Sequence, residues 1–247
     1  MLVMRPMKWK LFEFFDIPVY VDMTFLVILF LFLSDGGSFS FGLMQALVLG
    51  LSIVAHEYGH ALTGRAFGCE THDISLSFIG GCASMVSMPR NGWQEFLVAL
   101  AGPLVSFALA GVGFFVYASF QISNDFLRYT LVYLFYLNLV LGCFNLLPGF
   151  PMDGGRIFRS VMMIFTTRPK ATLIAMWVGR VVAVLLGLSG VWALVNGGSW
   201  AFIRIFIAWM IWKDGWREYQ LALAEEDLRR WTQADFNARV SPPPYER

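Results

Sequence analysis

The feature that most constrains this chain is a series of long apolar stretches with very few charged residues. Charged residues make up 14% of the 247 residues and hydrophobic residues 57%, whereas soluble domains carry about 25% charged residues. A bilayer core of about 30 Å is crossed by about 20 apolar helical residues, and six stretches meet that need. They are approximately residues 17–34, 41–65, 92–123, 129–153, 171–195 and 199–212. The sequence therefore predicts an all-α polytopic membrane protein with about six transmembrane helices.

The basic residues between these spans predict the orientation of the chain. Cytoplasmic loops carry an excess of Lys and Arg; here one side carries 15 of the 18 basic residues and the other side carries one. Both termini are therefore expected to face the cytoplasm of a multi-pass protein of the cell membrane. The rise in charge after Lys213 predicts a boundary between a membrane domain, residues 1–213, and a cytoplasmic tail, residues 214–247. Because basic and acidic residues nearly balance, no nucleic-acid partner is expected.

A cluster of ionisable residues lies in the second span, where buried charge is costly and indicates a functional site. Its sequence is His56-Glu57-Tyr58-Gly59-His60. Histidines at positions i and i+4 share one helix face, so two imidazoles can bind the same tetrahedral zinc ion. The pattern is the H-E-x-x-H motif of metalloproteases, in which Glu57 would take a proton from a zinc-activated water.

A catalytic zinc ion has three protein ligands and one open position, so a third ligand is expected. Asp153 is the other carboxylate placed deep in a predicted span, after a segment rich in Pro and Gly that should break the fourth helix. His60 precedes Arg65 by five residues and Asp153 precedes Arg156 by three. Both halves of the predicted site therefore lie at similar depth near the cytoplasmic face.

The segment after the second span predicts a small membrane-associated β-hairpin. Residues 71–79 alternate polar and apolar side chains, and residues 82–88 are apolar enough to return as a partner strand. Gly80 and Gly81 are predicted to form the turn between them. An exposed strand edge here would bind an extended substrate, so both glycines are predicted substrate-binding residues. A purely structural hairpin remains the alternative.

These motifs, together with Ala101-Gly102-Pro103 and the segment 151–156, resemble those of the site-2 proteases, a family of intramembrane zinc metalloproteases. The resemblance covers about residues 17–213 and is closest to six-span prokaryotic-type members without PDZ or CBS domains. It implies that one Zn²⁺ is bound by His56, His60 and Asp153, and that Glu57 activates the water. It also implies that Asn145 holds the substrate carbonyl or its oxyanion, although a helix-end cap is an alternative for this residue. Ser106 stands where many relatives have Asn, and it receives no predicted role.

The resemblance implies the hydrolysis of peptide bonds in or near transmembrane segments of membrane-anchored regulatory proteins, known as regulated intramembrane proteolysis. The expected partners are a single-pass transmembrane substrate, the lipid bilayer and an upstream site-1-type protease that acts on the same substrate. The alternative is a polytopic metal-binding protein or divalent-ion transporter that does not cut its partners. Glu57 favours the protease, because a pure ligand cage has no need of a general base.

Overall fold

The computed structural model describes residues 8–34, 38–77, 80–85, 89, 91–198 and 200–240. The first elements of this described chain form a β-hairpin. Strand β1 (Lys8–Phe14) pairs antiparallel with β2 (Ile17–Asp22). The two turn residues, Phe15 and Asp16, have positive φ angles of 52° and 58°, as a two-residue type I′ turn requires.

The predicted first transmembrane span, residues 17–34, is therefore not one continuous helix. Strand β2 occupies its first six residues, and the helix that follows, α1 (Phe25–Ser34), has only ten. Ten helical residues extend about 15 Å, half of the bilayer core. A buried strand and a membrane helix are both apolar runs, so hydropathy alone did not separate the two elements.

A second hairpin extends this sheet. Strands β3 (Thr71–Ser77) and β4 (Gly80–Met85) are antiparallel, β2 pairs parallel with β3, and the strand order is β1-β2-β3-β4. The predicted hairpin is present, but the predicted turn is wrong, because Gly80 pairs with Ser77 and Gly81 with Leu76 inside the ladder. Residues 78–79 and 86–88 lie outside the described residues. The fold thus contains a four-stranded sheet rather than a hairpin alone.

Four long helices of the described chain are apolar enough to cross a membrane, and they correspond to the second to fifth predicted spans. They are α2 (Phe39–Ala66), α3 (Gly92–Ser119), α4 (Asp125–Asn145) and, after the short helix α5 (Asp153–Met162), α6 (Arg168–Val195). The predicted sixth span lies at the start of α7 (Ala201–Val240), whose later part is polar, and α7 is not among the four. A multi-pass membrane protein is supported, whereas the count of six spans is not confirmed.

The contacts divide the chain into two compact units, Met1–Leu147 and Pro148–Arg247. In the first unit the sheet packs on α2 through a buried apolar cluster, and α3 packs against both α2 and α4. The cluster consists of Ile17, Val19, Val21, Ile53, Val54, Ala61, Ile74 and Leu76.

In the second unit, α6 and α7 pack as an antiparallel pair with glycines at the closest approaches. Gly179 faces Ile211, and Gly190 faces Ile205. Helix α5 is joined to α7 by an ion pair of 3.0 Å between Arg159, which is 2% exposed, and Glu218. Helix α7 continues through residue 213 without interruption, and the predicted domain boundary there remains a prediction.

Candidate metal centre

The H-E-x-x-H motif lies in the last third of α2, and this part of the helix is tied to the first hairpin. The Tyr58 hydroxyl lies within hydrogen-bond distance of the carbonyl oxygens of Phe14 and Ile17, at 3.2 and 3.0 Å. The Arg65 guanidinium donates to the Phe15 carbonyl at 2.6 Å. These contacts fix the helix end that carries the motif relative to the sheet.

The two histidines of the motif are buried and face each other. His56 and His60 are 3% and 4% exposed, and their Nε2 atoms are 3.2 Å apart. Two nitrogen ligands at about 2.05 Å from a tetrahedral zinc ion are separated by about 3.3 Å. His60 Nδ1 lies 2.7 Å from the Val98 carbonyl oxygen, which can only accept, so Nδ1 carries the proton and Nε2 keeps its lone pair. The pair therefore fits two nitrogen ligands of one metal ion.

Gly102 of α3 packs closely against this pair. A Cβ atom at this position would lie 2.2 Å from His60 Nε2 and 2.7 Å from His56 Nε2. Helix α3 is also held close to α2, because a Cβ on Gly59 would lie 2.9 Å from the Ala101 carbonyl oxygen. Position 102 therefore has no room for a side chain larger than that of glycine beside the two imidazoles.

Ser106 is a site residue that the sequence reasoning missed. Its side chain is fully buried, and its hydroxyl lies 2.9 Å from His56 Nδ1. Val98, Gly102 and Ser106 recur at intervals of four and share one face of α3. The Val98 carbonyl and the Ser106 hydroxyl hold the Nδ1 atoms of His60 and His56, and Gly102 packs against the two Nε2 atoms. The i, i+4 relation between Gly102 and Ser106 was the signal available in the sequence.

Replacing Ser106 with Ala should weaken zinc binding by about 10- to 100-fold, because a partner on the outer nitrogen fixes the tautomer and orientation of a ligating imidazole. Competition against a calibrated chelator with purified protein measures this affinity. Ser119→Ala is the matched control, since Ser119 is exposed on the same helix. Equal zinc affinity in the two variants would contradict a role of Ser106 in positioning His56.

Asp153 is the first residue of α5, and its side chain is 6% exposed. The Met152 N–H donates to the Gly149 carbonyl at 3.0 Å, and a Cβ on Gly155 would lie 2.7 Å from the carbonyl carbon of Gly149. The segment before Asp153 thus folds tightly onto the first turn of α5. The N-terminus of a helix stabilises a carboxylate in its charged form, which is the form that binds a metal.

The other predicted site residues have the following positions. Glu57 is half-buried in α2, and Gly80 and Gly81 begin β4. Asn145 ends α4, half-buried, and its amide donates to the Leu141 carbonyl at 3.0 Å within its own helix. This bond is of the kind expected for a helix-end cap, which is the alternative role of Asn145. A role of Asn145 toward substrate stays a prediction.

A buried histidine pair of the H-E-x-x-H type, on a helix able to cross a membrane, defines a membrane-embedded metalloprotein. The family model of Peptidase family M50 matches residues 44–126 and 118–188. The chain belongs to this family, the site-2 protease family, and the resemblance predicted from the sequence is confirmed.

Relatives support the same class. A Synechocystis sp. protein with a zinc metalloprotease name is 34% identical over 246 residues, which cover 92% of this chain and 64% of that protein. A zinc metalloprotease of Methanocaldococcus jannaschii is 38% identical over 184 residues, covering 73% of this chain and 53% of the relative. The chain thus spans about half to two thirds of these two relatives.

A solved structure of a site-2 protease from Methanocaldococcus jannaschii also matches. It has a TM-score of 0.63 and 31% identity, and the match covers 86% of this chain and 95% of that one. The family and the names of the relatives support zinc as the metal, as predicted.

Proposed function

We propose that this protein is an intramembrane zinc endopeptidase that cuts peptide bonds in or near the transmembrane segments of membrane-anchored regulatory proteins. The observation that carries the proposal is the buried pair of His56 and His60, with Nε2 atoms 3.2 Å apart in an H-E-x-x-H helix. Membership of Peptidase family M50 supports the reaction class. The spacing of the two histidine nitrogens supports one zinc ion.

The proposed ligands are His56 and His60, each through Nε2, and Asp153 through its carboxylate. The hydrogen bond from His60 Nδ1 to the Val98 carbonyl leaves Nε2 as the ring nitrogen that can bind a metal. Asp153 supports the assignment as a buried carboxylate at a helix N-terminus. When bound, zinc supplies Lewis-acid polarisation of the scissile carbonyl and lowers the pKa of water to about 7.

Glu57 is the proposed general base, since it follows His56 directly on a helix fixed to the sheet. It takes the proton of the attacking water and returns it to the leaving amine. Asn145 is proposed to donate its amide to the substrate carbonyl or its oxyanion, exchanging the present bond to Leu141 for that contact. The site is proposed to lie near the cytoplasmic face, with both termini in the cytoplasm.

The proposed substrate is a single-pass transmembrane protein that an upstream site-1-type protease has already cut. A peptide bond inside a helix must be unwound before hydrolysis, and pairing with a strand would hold it extended. Strand β4 stands at the end of the described sheet order and has β3 as its partner there. Gly80 and Gly81 begin this strand, and without side chains they let a substrate backbone approach closely.

Replacing Asp153 with Asn should reduce zinc affinity more than about 100-fold. This loss is larger than that expected for a residue that only orients a metal ligand, because Asp153 is proposed to bind the metal itself. The amide keeps the shape of the side chain but lacks the negative charge. Metal analysis of purified protein after dialysis against a weak chelator measures the effect. Asp125→Asn is the matched control, because Asp125 is also the first residue of a helix but is exposed. Zinc retention by the Asp153 variant would show that another group supplies the third ligand.

The activity is tested with the full chain reconstituted in the same vesicles as candidate single-pass proteins. These candidates are first captured on the Glu57→Gln form and identified by mass spectrometry. We expect one zinc-dependent cut in or near the transmembrane segment of a captured protein, abolished by a chelator and restored by zinc. Zinc flux into the vesicles without any cleavage would instead support the divalent-ion transporter.

A further inference from the structure

Arg180 lies well inside the candidate membrane helix α6. Its guanidinium lies beside three indole rings, with ring centres 4.8 Å away at Trp177, 4.6 Å at Trp212 and 5.8 Å at Trp216. Its Nε atom is buried without a hydrogen-bond partner among the described residues, and no described acid pairs with the side chain. Cation–π contacts compensate part of a desolvated charge, and an anion would compensate the rest.

A second cation, Lys213, belongs to the same surface. Its Nζ atom lies 5.2 Å from the ring centre of Trp209, and no described acid pairs with it either. Trp209, Trp212, Lys213 and Trp216 follow the spacing of one face of α7, and the three indoles are 46–56% exposed. Exposed tryptophans beside cations are typical of the level where a membrane meets water. We call these residues, with Trp177 and Arg180, the basic aromatic cluster.

A second set of exposed tryptophans marks the other end of the helix pair. Trp192 and Trp200 are 69% and 71% exposed. Trp177 and Trp192 are 15 residues apart on α6, which corresponds to about 22 Å along the helix. The apolar surface between the two sets is therefore bounded by aromatic residues at both ends, as is typical of the two levels where a membrane meets water.

An apolar groove of about 360 Å³ runs between α6 and α7 away from the cluster. Trp209 and Trp212 line both the groove and the cluster, so the two are continuous. The groove extends along α6 to Val191, 11 residues or about 16 Å beyond Arg180. That length is close to half of a bilayer core of about 30 Å, which is the depth of one leaflet.

We propose that the surface of α6 and α7 binds one anionic phospholipid, with its phosphate at Arg180 and Lys213 and an acyl chain in the groove. Charge complementarity selects the headgroup, because neither cation at this end of the groove is paired with an acid among the described residues. Basic pockets between transmembrane helices bind anionic headgroups in this way. The apolar lining selects a lipid over a soluble phosphate.

The test uses the full chain in detergent, titrated with phosphatidylglycerol or phosphatidylcholine of the same acyl chains, with bound lipid counted by native mass spectrometry. Arg180→Gln with Lys213→Gln should weaken phosphatidylglycerol binding roughly 30-fold, about fivefold for each cation. Binding of phosphatidylcholine should not change. Arg229→Gln, which removes an exposed charge from the same helix, is the matched control. Val184→Trp, at an exposed groove position, should weaken binding of both lipids.

If the variant that lacks Arg180 does not fold, Lys213→Gln alone tests the proposal, because Lys213 is exposed. Unchanged phosphatidylglycerol binding in that variant would overturn the proposal, as would an equal loss of both lipids. Displacement of the lipid by millimolar inorganic phosphate would identify a site for free phosphate instead. Conversion of a dimer to a monomer without loss of lipid would identify a second copy of the chain as the occupant.

Discussion

Glu57→Gln should abolish peptide hydrolysis while zinc stays bound. Glutamine has the size of glutamate but cannot take a proton from water, and general-base catalysis contributes about 10²- to 10⁴-fold to a rate. The two histidines keep their Nδ1 partners on α3 in this variant, because Ser106 and Val98 are untouched. We expect a loss of at least about 10²-fold in the cleavage rate at unchanged zinc stoichiometry, measured in reconstituted vesicles with parallel metal analysis.

Glu70→Gln is the control for this experiment, because Glu70 is an exposed carboxylate beyond the end of α2. It should leave both cleavage and zinc content at the level of the unmodified protein. A fully active Glu57→Gln variant would refute the proposed chemistry. A variant that loses zinc together with activity would show that Glu57 maintains the metal site, and would contradict a role confined to proton transfer.

Gly102→Ala should abolish stoichiometric zinc binding, and cleavage with it. The added methyl group would lie 2.2 Å from His60 Nε2 and 2.7 Å from His56 Nε2, so both imidazoles would have to leave the positions in which their Nε2 atoms face each other. Helix α3 cannot move away easily, since it touches α2 at Gly59 as well. We expect zinc content near zero in metal analysis, with a helical circular-dichroism spectrum like that of the unmodified protein.

The control for this variant lies on the same helix. A Cβ atom on Gly111 would meet nothing within 4 Å, and alanine is the better helix former. Gly111→Ala should therefore keep its zinc and its thermal stability. If Gly102→Ala also bound zinc at one ion per chain, the histidine nitrogens would not be held in place by α3.

The histidine motif, the long apolar helices and the end of α4 could be predicted from the sequence. The spacing of His56 and His60 by four residues places both imidazoles on one helix face whatever surrounds the helix. The predicted spans that became α2, α3, α4 and α6 were long apolar runs, whose signal is strong. The Pro- and Gly-rich segment before Asp153 ended α4 as expected, because proline removes a helix hydrogen bond.

The missed parts depend on contacts between elements that are distant in sequence. The side chains of Ile17, Val19 and Val21 alternate as in a strand, but the apolar run around them concealed that period. Ser106 gained its role only because α3 packs against the motif helix. The composition predicts the hairpin turn at Gly80 and Gly81, whereas the register places both in the ladder.

The unbroken course of α7 makes its polar end a continuation of the helix that packs against α6. From Lys213 to Val240 the helix extends about 40 Å, so this end is a stiff rod rather than a loose tail. Within the second unit, the Arg159–Glu218 ion pair joins this rod to α5, the helix that begins at Asp153. A displacement of α7 near residue 240 would therefore be transmitted to α5, the helix that carries the proposed third ligand Asp153.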